Sequence, residues 1–307
     1  MTKEGTTSKV KKESKLSKYY SYNSLNKYEG LRGKLECRAP TTFVGVEIEL
    51  EEVHHLYDQM PTSFTYVGDG SLKLRGKEFV TIPIRFCYLE QEIKRLFASI
   101  KTPHISTRCS IHVHLNARDF THQELYRFLL LYLIFERHLF KFSGGRSHNI
   151  FCTPLFSYMD SVTKHINLLL KEGGVKYMQW SKYYALNLAP IWGQEEESKR
   201  SGTIEFRHMA GTTDVEHIIE WINLIVSLKI SAKKFNTEEL IENINTMNST
   251  SSYNRLATEV FKKWHTYITD QPTFKEDVEQ GVLNVKESFC NDEKVEITIP
   301  LTNKEYQ

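Results

Sequence analysis

From residue 41 to 52 the chain reads TTFVGVEIELEE, with apolar and polar positions alternating at the period of two that a β-strand imposes. Val46, Ile48 and Leu50 share one face, and Gly45, Glu47, Glu49 and Glu51 share the other. The same period returns at residues 110–116, where Ile111, Val113 and Leu115 oppose His112, His114 and Asn116. It returns again at residues 202–208, where Ile204 and Phe206 oppose Thr203, Glu205 and Arg207. Residues 63–67 and 72–83 read as two extended runs joined by Gly68-Asp69-Gly70-Ser71, and an Asp-Gly between such runs predicts a hairpin. Glu78 lies in the middle of the second run. A further strand is predicted over 183–189, with a small-residue side formed by Ala185, Asn187 and Ala189.

Between these strands the period changes to that of a helix. Leu89, Ile93, Leu96, Phe97 and Ile100 predict an amphipathic helix over 87–100. Thr121 with Glu124 forms a capping box, and residues 125–139 are apolar on nearly every side, which predicts a helix packed against the back of the sheet. Val162, Ile166, Leu169 and Leu170 define another helix, ended by Gly173-Gly174. Thr213 with Glu216 is expected to cap a helix running through Ile230, and Tyr253, Leu256, Ala257, Val260, Phe261 and Trp264 mark one more. The pattern is that of an α+β fold with one polar sheet face.

Composition changes this picture little. A chain of 307 residues can bury a sizeable core, and 40% hydrophobic with 25% charged residues is ordinary for a globular protein. The net charge of +2 gives no strong push toward nucleic acid or membrane. Five cysteines without a Cys-x-x-Cys pair argue against a disulfide framework and a thiolate zinc site, and suit a reducing compartment. With no apolar stretch near the N-terminus and a longest apolar run of only 128–135, a cytoplasmic protein without membrane contact is expected.

Charge does divide the ends from the middle. Residues 1–38 hold ten Lys or Arg against four Glu and read as a flexible arm. Its tyrosines and basic residues are compatible with nucleic-acid contact, although a solvated tail is the favoured reading. Residues 270–307 carry nine acidic residues against four lysines and read as an accessory strand or a tail. The expected organisation is an arm over 1–40, a catalytic core over 41–235, and a C-terminal helical extension with an acidic tail over 236–307.

Carboxylates along one strand face are usually just solvated, and Glu205 with Arg207 would make an ordinary surface ion pair. Taken together, however, Glu47, Glu49, Glu78, His112, His114, Glu205 and Arg207 all fall on mid-strand polar positions. Such a face is electrostatically costly if empty. Divalent cations and a polyphosphate would neutralise it, and oxygen-dominated ligation with one or two imidazoles favours Mg²⁺ or Mn²⁺ over zinc. Gly70 and Gly76-Lys77 do not make a phosphate-binding loop, because Glu78 stands where the Ser or Thr would be. The His spacing is not that of a helical zinc protease.

Gly45-x-Glu47-x-Glu49, Asp69-Gly70-Ser71, Gly76-x-Glu78-Phe79-Val80 ending in Pro83, His112-x-His114, Asn187 and Gly202-Thr203-x-Glu205-Phe206-Arg207 occur in the order seen in the amidoligase family. Over residues 41–230 the chain resembles these carboxylate–amine ligases of the glutamine synthetase-like fold. The resemblance implies a curved antiparallel sheet backed by helices. It implies ATP and Mg²⁺ (or Mn²⁺), phosphorylation of a substrate carboxylate, and attack of an amine on the acyl phosphate to form an amide. By motif position, Glu49 and Glu78 would hold one metal, and Glu47, His112 and Glu205 the other. Arg207 would stabilise the transferring phosphoryl group, His114 would lie near the nucleotide, and Asn187 near nucleotide or substrate. Asp69 would either bind metal or shape its turn. The carboxylate and amine, small molecules or peptides, would meet loops such as 143–153 and 192–201. One departure is that Arg108, Cys109 and Ser110 stand before His112, where small residues are expected.

Two rival readings use the same residues. A two-metal phosphodiesterase or nuclease would employ the Glu/His face to activate water. A non-catalytic protein retaining the fold is the other, and the complete ligand set argues against it.

Overall fold

The structure is a computed structural model, described here over residues 30–53, 60–73, 75–101, 104–172, 180–192 and 201–290. In chain order the elements are β1 (Phe43–Leu50), β2 (Phe64–Gly68), β3 (Lys77–Thr81), β4 (Ile84–Arg85), α1 (Phe86–Ser99), β5 (Ser110–Asn116), α2 (His122–Phe142), α3 (Met159–Glu172), β6 (Leu186–Asn187), α4 (Ala189–Trp192) and β7 (Thr203–Ala210). They continue with α5 (Val215–Lys234), α6 (Thr237–Thr246), α7 (Thr250–Phe261), α8 (Thr266–Thr269) and α9 (Phe274–Val285). All strand pairs are antiparallel, in the order β2-β3-β1-β5-β7-β6, with β4 joined to the start of β1. The fold is α+β: a curved, open antiparallel sheet backed by helices.

Period-two alternation builds the back of this sheet. Val44, Val46, Ile48 and Leu50 of β1, Phe79 of β3, Ile111, Val113 and Leu115 of β5, and Ile204 and Phe206 of β7 are all buried in one core. Helix α2 lies against them, with Phe128 and Tyr132 meeting the Phe206 ring edge-on at 6.1 and 6.3 Å. Its Thr121 and Glu124 make both hydrogen bonds of the capping box. Helix α5 adds Trp221, whose ring stands edge-on to Phe206 at 6.1 Å.

A second helical layer covers α2 from outside. Helix α9 crosses it at Gly281, where an added Cβ would stand 2.3 Å from the Ile134 carbonyl oxygen, so only glycine permits this approach. Residues 274–285, read from their acidic balance as a strand or tail, are therefore helical. Phe274, Val278, Val282 and Val285 recur at helical spacing and are buried. Helix α6 also falls in this C-terminal region.

Other expectations are corrected locally. The hairpin connection is longer than four residues: Gly68 pairs with Lys77, Leu72 N–H donates to the Asp69 carbonyl at 3.3 Å, and the Leu72 side chain is buried. The cap of α5 is Asp214, whose carboxylate accepts the His217 N–H, and the helix runs on to Lys234. Strand β6 is confined to Leu186–Asn187. Residues 33–38, read as part of a flexible arm, are docked: Leu35 N–H donates to Glu90 of α1 at 2.6 Å and Arg38 N–H to Asn223 of α5 at 2.7 Å. The rest of the basic arm (1–29), the Gly173-Gly174 stop, most of the 192–201 loop and the acidic tail (291–307) lie outside the described residues. Among the described residues no helix is long and apolar enough to cross a membrane.

Candidate active site

The register of the sheet sets the polar face. Glu49 of β1 pairs with Glu78 of β3, Glu47 with His112 of β5, and Gly45 with His114. His114 in turn pairs with Glu205 of β7, and Glu205 with Asn187 of β6. Between Ile111/Met209 and Val113/Phe206, β7 carries one more residue than β5, a bulge opposite His112. There Arg207 stays on the polar face while His208 turns into the core and meets the Tyr132 hydroxyl at 2.7 Å.

Glu47 is the hub. Its Oε2 lies 2.9 Å from His112 Nδ1 and its Oε1 lies 2.8 Å from His114 Nε2. His112 Nδ1 also stands 3.4 Å from Glu205 Oε1. Glu205 accepts from Arg207 Nη1 at 2.5 Å and from Asn187 Nδ2 at 2.6 Å. The hydroxyl of Ser110 joins Glu49 Oε2 at 2.5 Å to His112 Nε2 at 2.9 Å. Arg207 Nε donates to the Phe151 carbonyl at 3.1 Å, which ties the 143–153 loop to the site.

The charge balance of this face is strained. Burial pushes Glu47 up, yet hydrogen bonds from both imidazoles outweigh it and hold the carboxyl well below the usual range. Burial, reinforced by the neighbouring carboxylates Glu47, Glu49 and Asp69, pushes Glu78 up to about 8. His114 is desolvated, but the Glu47 carboxylate beside it raises its pKa above the ordinary value. The site thus retains a proton on Glu78, where carboxylates crowd.

Among the described residues, two groups of three side chains bring one ligand atom each to within 4.8 Å of one another: Glu47, His114 and Glu205, and Glu47, Glu78 and His112. This partition differs from the one implied by motif position, since His114 joins a ligand group and Glu47 belongs to both. Glu49 is engaged by Ser110 and adjoins the second group through its pairing with Glu78. The donor set, carboxylate oxygens with two imidazoles, fits Mg²⁺ or Mn²⁺.

Clefts open on either side of Glu47. The larger, about 710 Å³, is lined by Glu47, Glu49, Asp69, Glu78, Ser110, His112 and Arg207 on its floor, and by the 146–151 loop with Arg108, Lys182 and Tyr183 above. The smaller, about 200 Å³, is largely apolar, with Phe43, Val80 and Pro83 facing His114, Asn116 and Thr203. Gly45 leaves its floor flat between Thr81 and His114.

Asn187 lines neither cleft. It is buried, its Nδ2 donates to Glu205, and its Oδ1 accepts the Ala189 N–H at 2.9 Å. Its amide thus holds Glu205 with one end and the start of α4 with the other. Asp69 accepts the Ser71 N–H at 2.7 Å, so it shapes its turn as well as facing the larger cleft. Sequence reasoning missed Ser110 and Arg146. Ser110 shares a strand face with His112 two residues on, which was the available signal. Arg146 follows Gly144 and Gly145, whose φ of 101° and 72° fold the chain back over β7. From there Arg146 Nη1 donates to the Arg207 and Met209 carbonyls at 3.2 and 3.3 Å.

No curated protein matches the chain. The model of a family described as "putative amidoligase enzyme" matches residues 49–229, a span that holds every one of these site residues except Phe43, Gly45 and Glu47, which lie earlier on β1. That span is more than half of the chain, and the chain therefore belongs to the amidoligase family, whose activity is of the ligase type that forms amide bonds.

Proposed function

We propose that this protein is an ATP-dependent carboxylate–amine ligase that uses two divalent cations, Mg²⁺ or Mn²⁺, at the Glu/His sheet face. The observation that carries the reading is the sharing of Glu47 between His112 and His114, with Glu78 and Glu205 inside the same ligand groups, on a floor flanked by two clefts. Glu47 would serve both cation sites, with Glu205 and His114 completing one and Glu78 and His112, adjoined by Glu49, the other. Bound cations would neutralise the phosphate oxygens and the charge that develops as the phosphoryl group moves.

The remaining roles belong to side chains of the chain itself. The smaller cleft suits a nucleoside, since a flat apolar slot accepts a planar base and ribose beside His114. Phosphates would then run past Glu47 into the larger cleft. Arg207 spends Nη1 on Glu205 and Nε on the Phe151 carbonyl, which holds its guanidinium plane fixed and leaves its other N–H groups for phosphoryl oxygens. A preorganised cation of this kind stabilises the transferring group without reorganisation. Asn187 acts through Glu205 as a positioning residue. In balance, the substrate carboxylate takes the γ-phosphoryl group and ADP leaves. The amine then attacks the acyl carbon, releasing inorganic phosphate and a proton. Nothing in the site favours the two-metal hydrolase reading over this one.

Calorimetric titration of a non-hydrolysable ATP analogue with Mg²⁺ tests the reading. Wild-type protein should bind nucleotide only with the cation, and a Glu47→Gln/Glu205→Gln double variant should lose that binding while remaining folded. Absence of nucleotide binding at millimolar concentration, or equal binding by the variant, would sink the ligase proposal.

A further inference from the structure

Four cationic side chains, Arg108, Arg146, Lys182 and Arg207, line the larger cleft together with its acidic floor. Arg207 is paired with Glu205, whereas Arg108, Arg146 and Lys182 form no ion pair with a carboxylate among the described residues. Arg108 Nη1 donates to the Ser71 carbonyl at 2.9 Å, and Lys182 Nζ lies 5.2 Å from the centre of the Tyr183 ring. Arg146 meets only backbone carbonyls, and its Nε is buried with no hydrogen-bond partner. A half-buried guanidinium whose hydrogen bonds go only to neutral acceptors keeps donors for an anion.

Beside these cations stands an apolar platform open to solvent. Ile150 is 75% exposed, Phe151 45% and Tyr183 42%, and all three line the same cleft. The Phe151 and Tyr183 rings are 5.7 Å apart at 60°. Their segments are tied together, Thr153 N–H donating to the Tyr183 carbonyl at 2.8 Å, and tied to the site through the Phe151 carbonyl on Arg207. A small polar substrate would have no use for such a surface, and clustered exposed apolar groups of this kind mark recognition sites.

We infer that the carboxylate substrate is an acidic, peptide-like molecule with an apolar side chain: one carboxylate faces Arg207, a further anionic group meets Arg108, Arg146 and Lys182, and the apolar group lies on Ile150, Phe151 and Tyr183. The inference rests on the ligase reading, which puts the nucleoside in the other cleft and leaves this rim for the second substrate. Specificity would then come from charge pairing at the rim and from ring contact on the platform.

The test uses the full chain, Mg²⁺, a non-hydrolysable ATP analogue and three probes: N-acetyl-Phe-Glu, N-acetyl-Ala-Glu and the uncharged N-acetyl-Phe-Gln-amide. Nucleotide binding is measured first in each sample, then probe binding by calorimetry. N-acetyl-Phe-Glu should bind about tenfold more tightly than N-acetyl-Ala-Glu, the scale of one aromatic contact. The uncharged probe should not bind detectably. A Phe151→Ser/Tyr183→Ser variant should erase the preference for the aromatic probe and leave N-acetyl-Ala-Glu unaffected, while Arg108→Gln/Lys182→Gln should weaken both acidic probes alike. If nucleotide binds and the acidic probes fail at millimolar concentration, or bind with equal affinity, the substrate inference is overturned and the ligase reading stands. Should nucleotide itself fail to bind, the ligase reading falls, and the same probe series on nucleotide-free protein decides the inference by presence or loss of the aromatic preference.

Discussion

Replacing Glu78 by Gln tests the electrostatics of the site without any knowledge of the substrate. Glu78 lies on β3 opposite Glu49 and close to Glu47, and burial with these neighbours pushes it up to about 8. At pH 7 the carboxyl is then protonated in roughly nine molecules of ten. A divalent cation binds the carboxylate form, so loading the site at pH 7 must expel close to one proton from Glu78. His114, whose pKa is also raised, can add to the release. The sign is that of a ligand whose proton competes with metal: affinity for Mn²⁺ should rise with pH up to about 8 and level off above it. Calorimetry at pH 7 in buffers of different ionisation enthalpy reads the number of protons directly. Glu78→Gln should weaken Mn²⁺ binding and reduce the release by about one proton. Metal binding with the same proton release in variant and wild type would refute the reasoning, because the proton would then come from elsewhere.

Three further outcomes follow from the fold. Wholly buried Glu136 is pushed up to about 7 by burial, against the pull of the Leu155 and Phe156 N–H groups and the Tyr132 hydroxyl. A folded value above the unfolded 4.5 means its stabilisation is full below that pH and lost as pH rises through about 7. The stability advantage of wild type over Glu136→Gln should therefore fall by about 3 kcal/mol between pH 5 and pH 8 in urea denaturation, whereas a constant difference would count against it. Gly144→Ala, at φ 101° with the new Cβ 2.8 Å from Ala210 Cβ, should lose about 1–3 kcal/mol in the same assay. Asn187→Ala should lower Mn²⁺ affinity about tenfold with little change in Tm, and a Tm drop with unchanged affinity would assign Asn187 to the fold alone.

Much of the architecture was legible because it rests on short-range patterns. The capping box of Thr121 and Glu124 needs only four consecutive residues, and the all-apolar helix behind it had no alternative to burial. Where reading failed, a local signal was weighed against the wrong neighbour. Acidic residues around Phe274, Val278 and Val282 hid the helical spacing of α9, which becomes stable only by lying on α2 at Gly281. Thr213 and Asp214 are both competent caps, and the choice fell to the residue whose carboxylate reached His217 N–H. In 33–38 the composition was that of a tail, but Glu90 and Asn223, far along the chain, accept its N–H groups.

For the site, the sequence by itself determined which residues face the polar side of the sheet, because period-two alternation is a property of each strand alone. Glu47, Glu49, Glu78, His112, His114, Glu205 and Arg207 were all identifiable on that ground. Only the tertiary structure decided how they group. Register between strands far apart in the chain made Glu47 common to both imidazoles, the bulge in β7 set both His208 and Met209 into the core, and the β6–β7 pairing brought the Asn187 amide onto Glu205. The rim of the larger cleft is tertiary as well: Arg108, Arg146 and Phe151 lie on connecting segments whose own sequence has no period. Alternation within a strand is set by backbone geometry, whereas the partner across a sheet is set by the packing of the whole chain.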